Sequence, residues 1–218
     1  MKFGSIAYLN LLPFIYYLKK RVRNTQEKQM LRYHQGVPST INRLFLKRAI
    51  DAAFISSIKS QRCRCSNLGV VANGAVYSVL LLKSEQIFDI ESDTSNMLSK
   101  VLGLSGQIII GDKALKHYLN SQNGIDLSQV WKEKTNLPFV FARLCYNKGA
   151  RRVLKLAKRF NKRAAKIPYY YLKKEAKKRG ITTKELHWYL QHIHYTIGPK
   201  EEQSLKLFFK KAQRVKNS

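Results

Sequence analysis

The chain has 218 residues, 44% of them hydrophobic and 11% aromatic, with 41 Lys and Arg against 13 Asp and Glu for a net charge of +28. That balance supplies apolar surface for one large core or two small ones and excludes a disordered chain. The charge favours polyanions, anionic surfaces and small anionic substrates as partners. No apolar run approaches the roughly 18 residues that cross a bilayer, and the start lacks the pattern of a signal peptide, so the expected location is the cytoplasm. Cys63, Cys65 and Cys145 are an odd number with a Cys-x-Cys pair. They read as reduced thiols, not a disulfide framework, and offer too few ligands for zinc.

In chain order, Lys2–Leu9 reads as a buried strand, interrupted by Asn10 and followed by a helix over Leu12–Lys20. A short strand is expected at Met30–His34 and a helix at Ser39–Arg48, then a buried strand Ala52–Ile55 closed by Ser56 and Ser57. This alternation predicts a parallel sheet with right-handed crossovers. Gly69–Leu82 is a long β-rich run with Gly74 at its middle, where the strand can bend or pass between two lobes. A second α/β set follows: helix Ser95–Leu102 after cap-like Asp93 and Thr94, strand Gln107–Ile110, helix Lys113–Asn120, the segment Asp126–Lys132, a turn at Asn136–Pro138 and strand Phe139–Cys145. The last third reads as helix throughout: Ala150–Lys166, Tyr169–Arg179 and Glu201–Arg214. Two α/β lobes with a cleft between them explain this order: residues 1–79 with 147–218, and residues 80–146.

Small polar residues recur where strands meet helices: Asn10, Ser39, Ser56 and Ser57, Thr94 and Ser95, and Asp112. Each can be a helix cap. Together they can also converge on one cleft, where helix N-termini and hydroxyls bind a carboxylate or phosphate. At Asn10 both readings stand. No GxGxxG, P-loop, GxSxG or HExxH motif is present, and apart from His34 the five histidines lie away from strand ends. From Arg143 to Lys184 the chain is dense in Lys and Arg, with Glu175 as its one acid. Val153, Leu154, Leu156, Ala157 and Phe160 give the first basic helix an apolar stripe, and Tyr169, Tyr170 and Tyr171 are too close together to share a helix face. The segment therefore reads as a solvated face and not as a nucleic-acid reader.

The ordered set Gly4–Pro13, Gly36–Asn42, Ile50–Ser57, Tyr77–Val79, Thr94-Ser95, Ile110–Leu115, Asp126–Trp131, Thr135–Ala142 and Tyr195–Gly198 resembles the chorismate dehydratases (MqnA) of the futalosine route to menaquinone. The chain departs from that pattern at Gln61–Asn67, which lacks aromatic residues, and at Leu144, where Trp is usual. The resemblance implies the two-lobed fold of type II periplasmic binding proteins with a ligand cleft between the lobes. It implies removal of water from chorismate, a small dianion, to give 3-[(1-carboxyvinyl)oxy]benzoate. Aromatisation drives that reaction, so neither redox cofactor nor metal is called for. Carried onto this chain, the resemblance makes Asn10 the catalytic residue. Ser39, Ser56, Ser78, Thr94, Ser95 and Asp112 become the substrate-binding set, and the substrate's enolpyruvyl carboxylate becomes a candidate proton acceptor. The competing readings are a non-catalytic carboxylate-binding protein of the same fold and, behind it, a basic nucleic-acid-binding module. Neither nucleic acid nor membrane insertion is expected.

Overall fold

A computed structural model of the chain describes residues 1–21, 34–162 and 167–217. The expected strand at 30–34 lies outside these except for His34, as does the stretch 163–166 of the first basic helix. Nine strands form two sheets among the described residues. The larger has the order β2-β1-β3-β8-β4-β9, built from Gln35–Gly36 (β2), Phe3–Ile6 (β1), Ala52–Ser56 (β3), Phe139–Tyr146 (β8), Cys65–Ala72 (β4) and His194–Thr196 (β9). The smaller has the order β6-β5-β7, from Gln107–Ile110, Val79–Leu82 and Ile125–Asp126.

Among the pairs of named strands, parallel pairing is confined to the first three. β1 pairs β2 and β3 in parallel, whereas β3–β8, β4–β8, β4–β9 and both pairs of the small sheet are antiparallel. The parallel pairing expected from the alternation of the first part is found in its three strands; beyond them β4 leaves the large sheet for the small one and β8 brings the chain back. A segment that leaves and one that returns through the same opening run side by side in opposite directions. The same return puts β8 in the large sheet, between β3 and β4. Strand β9 interrupts the stretch expected to be all helix.

The long run at residues 69–82 is two strands separated at residues 73–78. Gly74 has φ +126°, which a side chain tolerates poorly, and Tyr77 has φ +60°. Asp126 holds this crossing. One carboxylate oxygen accepts the N–H groups of Val76 and Tyr77 at 2.9 and 2.6 Å; the other caps the helix Leu127–Thr135 through Ser128 and Gln129. Burial pushes its carboxyl up, against the pull of those four N–H donors.

The core packs helix Leu12–Arg21 (α1) and helix Ala150–Lys162 on the large sheet. Phe14 sets its ring 4.9 Å from Phe54 and 5.3 Å from Phe160, both near edge-on. On the second of these helices Val153, Ala157 and Phe160 are buried, but Leu154, expected on the stripe, is 45% exposed. Tyr169 and Tyr170 are exposed, and Glu175 is buried beside Lys178 and Arg179.

The expectation of three free thiols is corrected. Cys65 and Cys145 stand directly opposite each other on β4 and β8 and are joined by a disulfide, leaving Cys63 as the thiol. Spacing along the chain could not reveal this pair, because 80 residues separate the two and only strand register brings them together.

Candidate active site

The turn after β1 carries the first site residue. The apolar strand ends at Ile6, and Leu9–Leu11 form a single 3-10 turn that leads into α1. Leu9 and Leu11 are buried and anchor the turn, while Asn10 between them lines the space between the two sheets. Asn10 does not cap a helix: it lies inside the turn, and its Oδ1 is buried with no hydrogen-bond partner among the described residues. A buried unpaired amide oxygen is costly, so its placement on the cleft points to a role in binding.

The same space is lined by Ser56, Ser78, Thr94 and Ser95, with Tyr8, Ser92, Gly111, Phe141 and apolar side chains around them. Helix capping explains none of the four hydroxyls. Ser56 stands at the N-cap of the short helix Ser57–Ser60 without a capping bond, and Ser92 caps the helix Asp93–Leu102 (α4) by accepting from the Ser95 N–H at 3.1 Å. Instead, each hydroxyl accepts a bond from inside the protein. Ser56 Oγ accepts from Asn42 Nδ2 at 2.8 Å, and Ser78 Oγ from the Tyr189 hydroxyl at 2.8 Å. Thr94 Oγ1 accepts from the Ile58 N–H at 3.2 Å, and Ser95 Oγ from the Ser92 hydroxyl at 2.8 Å. A hydroxyl has one proton to give. Among the described residues none of the four has an acceptor for that proton, so each can donate it to a ligand made of acceptor-only carboxylates. The first turn of α4, whose leading N–H groups have no acceptor within the helix, faces the same way.

Two expected residues do not join them. Ser39 lies inside the helix Pro38–Leu46 and is absent from the lining, where Pro38 takes its place. Asp112, in the first turn of the helix Gly111–Ser121 (α5), is also absent. Its Oδ1 accepts the Leu9 N–H at 2.9 Å and its Oδ2 meets Arg179 Nε at 3.1 Å. Burial pushes the Asp112 carboxyl up, while the Leu9 and Arg179 donors pull it back.

Sequence reasoning missed Tyr8, Ser92, Asn42 and Tyr189. Tyr8 packs its ring on Gly111, where an added Cβ would lie 2.7 Å from ring atoms, and donates its hydroxyl to Glu91. Burial, then the Glu91 carboxylate, raises its phenol, so it stays protonated at neutral pH. The signal for Tyr8 was at hand two residues from Asn10. Asn42 and Tyr189 act from distant helices, and only the fold shows them.

Two α/β layers with a hydroxyl-lined cleft between them make this a protein of the two-lobed α/β kind. The comparisons narrow this. A family model described as menaquinone biosynthesis matches residues 1–107 and 95–214. The chain is 47% identical over 216 residues to the chorismate dehydratase of Campylobacter jejuni subsp. jejuni serotype O:23/36 (strain 81-176), covering 96% of each chain. It is 24% identical over 258 residues to the chorismate dehydratase of Thermus thermophilus, covering 94% of this chain and 92% of that one. A crystal structure of a protein from Archaeoglobus fulgidus superposes with a TM-score of 0.65 at 13% identity, covering 99% of this chain and 97% of that one, which supports the fold. The chain belongs to the menaquinone-biosynthesis family.

Proposed function

We propose that the chain is a chorismate dehydratase, eliminating water from chorismate to give 3-[(1-carboxyvinyl)oxy]benzoate. The near full-length similarity to the Campylobacter enzyme supports the activity. The carrying observation at the site is the donor set: four buried hydroxyls that each accept one internal bond and have no acceptor for their own proton among the described residues, beside an amide oxygen with no partner there. Ser56, Ser78, Thr94 and Ser95 hold the two carboxylates, and Asn10 meets the ring where the bonds break. Ser39 and Asp112, outside the lining, have no place in this reading of the site.

In the reaction the ring carbon that carries the enolpyruvyl ether loses its proton, and the C–H electron pair enters the ring. The neighbouring C–O bond breaks, and the leaving hydroxyl departs as water once protonated. The step is redox-neutral and is driven by aromatisation. None of the described residues lining the cleft is a carboxylate, His or Lys, and the one titratable group among them, Tyr8, is held protonated. The substrate's own enolpyruvyl carboxylate is therefore the proton acceptor. The enzyme contributes binding of the dianion, orientation of the C–H and C–OH bonds, and exclusion of water. Its place of action in this reading is the cytoplasm, and the exposed cations of the basic helices form a solvated face with no nucleic-acid role.

The test is to incubate the protein with chorismate and follow loss of the diene absorbance and gain of an aryl product. Asn10→Ala should lower kcat by at least roughly 10²-fold, on the scale of losing a transition-state hydrogen bond. Its melting temperature should hold or rise, because a buried unpaired oxygen is removed. A variant with near-wild-type kcat would sink the role of Asn10. The same donors suit any small dicarboxylate, so a carboxylate-binding protein is the second reading; chorismate binding without turnover would favour it.

A further inference from the structure

Residues 7–10 are held in place one by one, and every anchor comes from a distant element. The Ala7 carbonyl accepts from Arg179 Nη2 at 3.0 Å. The Tyr8 hydroxyl donates to Glu91 while its ring rests on Gly111. The Leu9 N–H donates to Asp112 Oδ1 at 2.9 Å. The Asn10 carbonyl accepts from the Tyr195 hydroxyl at 2.6 Å. The backbone around Asn10 is thus tethered at Ala7, Leu9 and Asn10 itself, whereas its side-chain oxygen has no partner among the described residues.

Arg179 joins two of these anchors. It is the last residue of the helix Tyr169–Arg179 (α8), and its guanidinium reaches the Ala7 carbonyl, Asp112 Oδ2 and Glu175 at once. Asp112 follows strand β6 of the small sheet, and Ala7 follows β1 of the large one. One planar cation therefore ties the carboxyl end of a strand in each sheet to the turn that carries Asn10. Lys cannot do this, since a single ammonium has no fork to serve three acceptors in fixed directions.

We propose that Arg179, acting with Asp112, is a positioning residue: it holds the Leu9–Leu11 turn so that Asn10 meets the substrate only when the two sheets are in register across the cleft. Asp112 then serves the site through the backbone of Leu9 and not through the ligand. This inference rests on Asn10 acting on chorismate, as proposed above.

The experiment uses the full chain with Arg179→Lys, Arg179→Met and Asp112→Asn. Three quantities are measured: kcat and KM with chorismate, affinity for the aryl product by calorimetry, and backbone hydrogen exchange of residues 7–11 in the ligand-free protein. A misplacement of about 1 Å costs roughly 10²-fold in rate. Arg179→Met and Asp112→Asn should lose kcat on that order, with Arg179→Lys between Arg179→Met and wild type. KM and product affinity should stay within about threefold for all three, and exchange of residues 7–11 should rise at least about tenfold while the large-sheet strands keep their protection. Unchanged exchange at residues 7–11, or kcat within twofold of wild type in Arg179→Met, overturns the proposal. A general rise in exchange across both sheets also overturns it, since that marks a merely structural residue. If the wild-type chain does not turn over chorismate, the proposed activity fails, and the exchange measurement still decides whether Arg179 holds the turn.

Discussion

Ser78 shows how one residue serves both stability and binding. It is 1% exposed, and its oxygen is the acceptor for the Tyr189 hydroxyl, itself fully buried, with burial raising the phenol well above its ordinary value. Ser78→Ala removes a ligand donor and strands that phenol, so a loss of about 1–3 kcal/mol in folding stability is expected, with a higher KM for chorismate. Adding Tyr189→Phe removes the stranded donor, and the double variant should recover much of the stability while KM stays high. Urea unfolding of both variants checks this; a double variant less stable than Ser78→Ala contradicts it. The sequence pointed to Ser78 through the Tyr77–Val79 match but had no means of pointing to Tyr189, which lies 111 residues further on. The cleft-lining positions Asn10, Ser56, Thr94 and Ser95 were legible for the same local reason, polar residues at the ends of apolar strands. Ser39 and Asp112 met that rule as well and still lie off the lining, because the rule gives an end of a strand and not the direction of a side chain.

At the scale of elements, helix α8 illustrates how a basic segment is kept ordered. Its single acid, Glu175, is buried and takes Lys178 and Arg179. Burial alone would raise its carboxyl, but the two cations outweigh it and hold it below the ordinary value of 4.5. A carboxyl lowered on folding stabilises the protein above its unfolded pKa and loses that contribution as pH falls through the folded one. Wild type should therefore exceed Glu175→Gln in stability by a constant margin near neutral pH, and the margin should shrink once pH drops below about 4.5. Chemical denaturation of both proteins at pH 7 and pH 3 measures it, and an equal margin at both values refutes the assignment. Asp112 and Asp126 run the other way: their raised carboxyls favour the fold at acid pH and weigh against it as pH climbs past their folded values. The helices themselves were predictable, since periodicity and Gly180 at the end of α8 are local signals. The short strands β2, β7 and β9 were not. At two or three residues they carry no pattern, and only a neighbouring strand makes them strands.

For the whole molecule, the crossing between sheets is the controlling feature. β4 and β8 lie side by side, continue toward the small sheet, and are stapled by Cys65–Cys145. The bridge closes a loop across a sequence separation of 80 residues, and with it the whole small sheet. Cys145→Ser should cost about 2–4 kcal/mol under non-reducing conditions, the range typical of a disulfide. Cys63→Ser, which touches no bridge, should cost little. Thermal melts with and without reductant test this: reductant should bring wild type to the level of Cys145→Ser and leave that variant unchanged. A wild-type melt indifferent to reductant speaks against a role for the bridge.

The sequence by itself determined the α/β class, the order of most of the longer strands and helices, the family and most of the polar residues on the cleft, because all of these are written in local patterning and in short motifs kept in order. Tertiary structure alone decided the antiparallel return of β8, the Cys65–Cys145 pairing, the Tyr189 and Ile58 partners of Ser78 and Thr94, and the three-way grip of Arg179 on the turn of Asn10. Each of those depends on groups that are remote in the chain and adjacent only after folding, so no window along the sequence contains both partners.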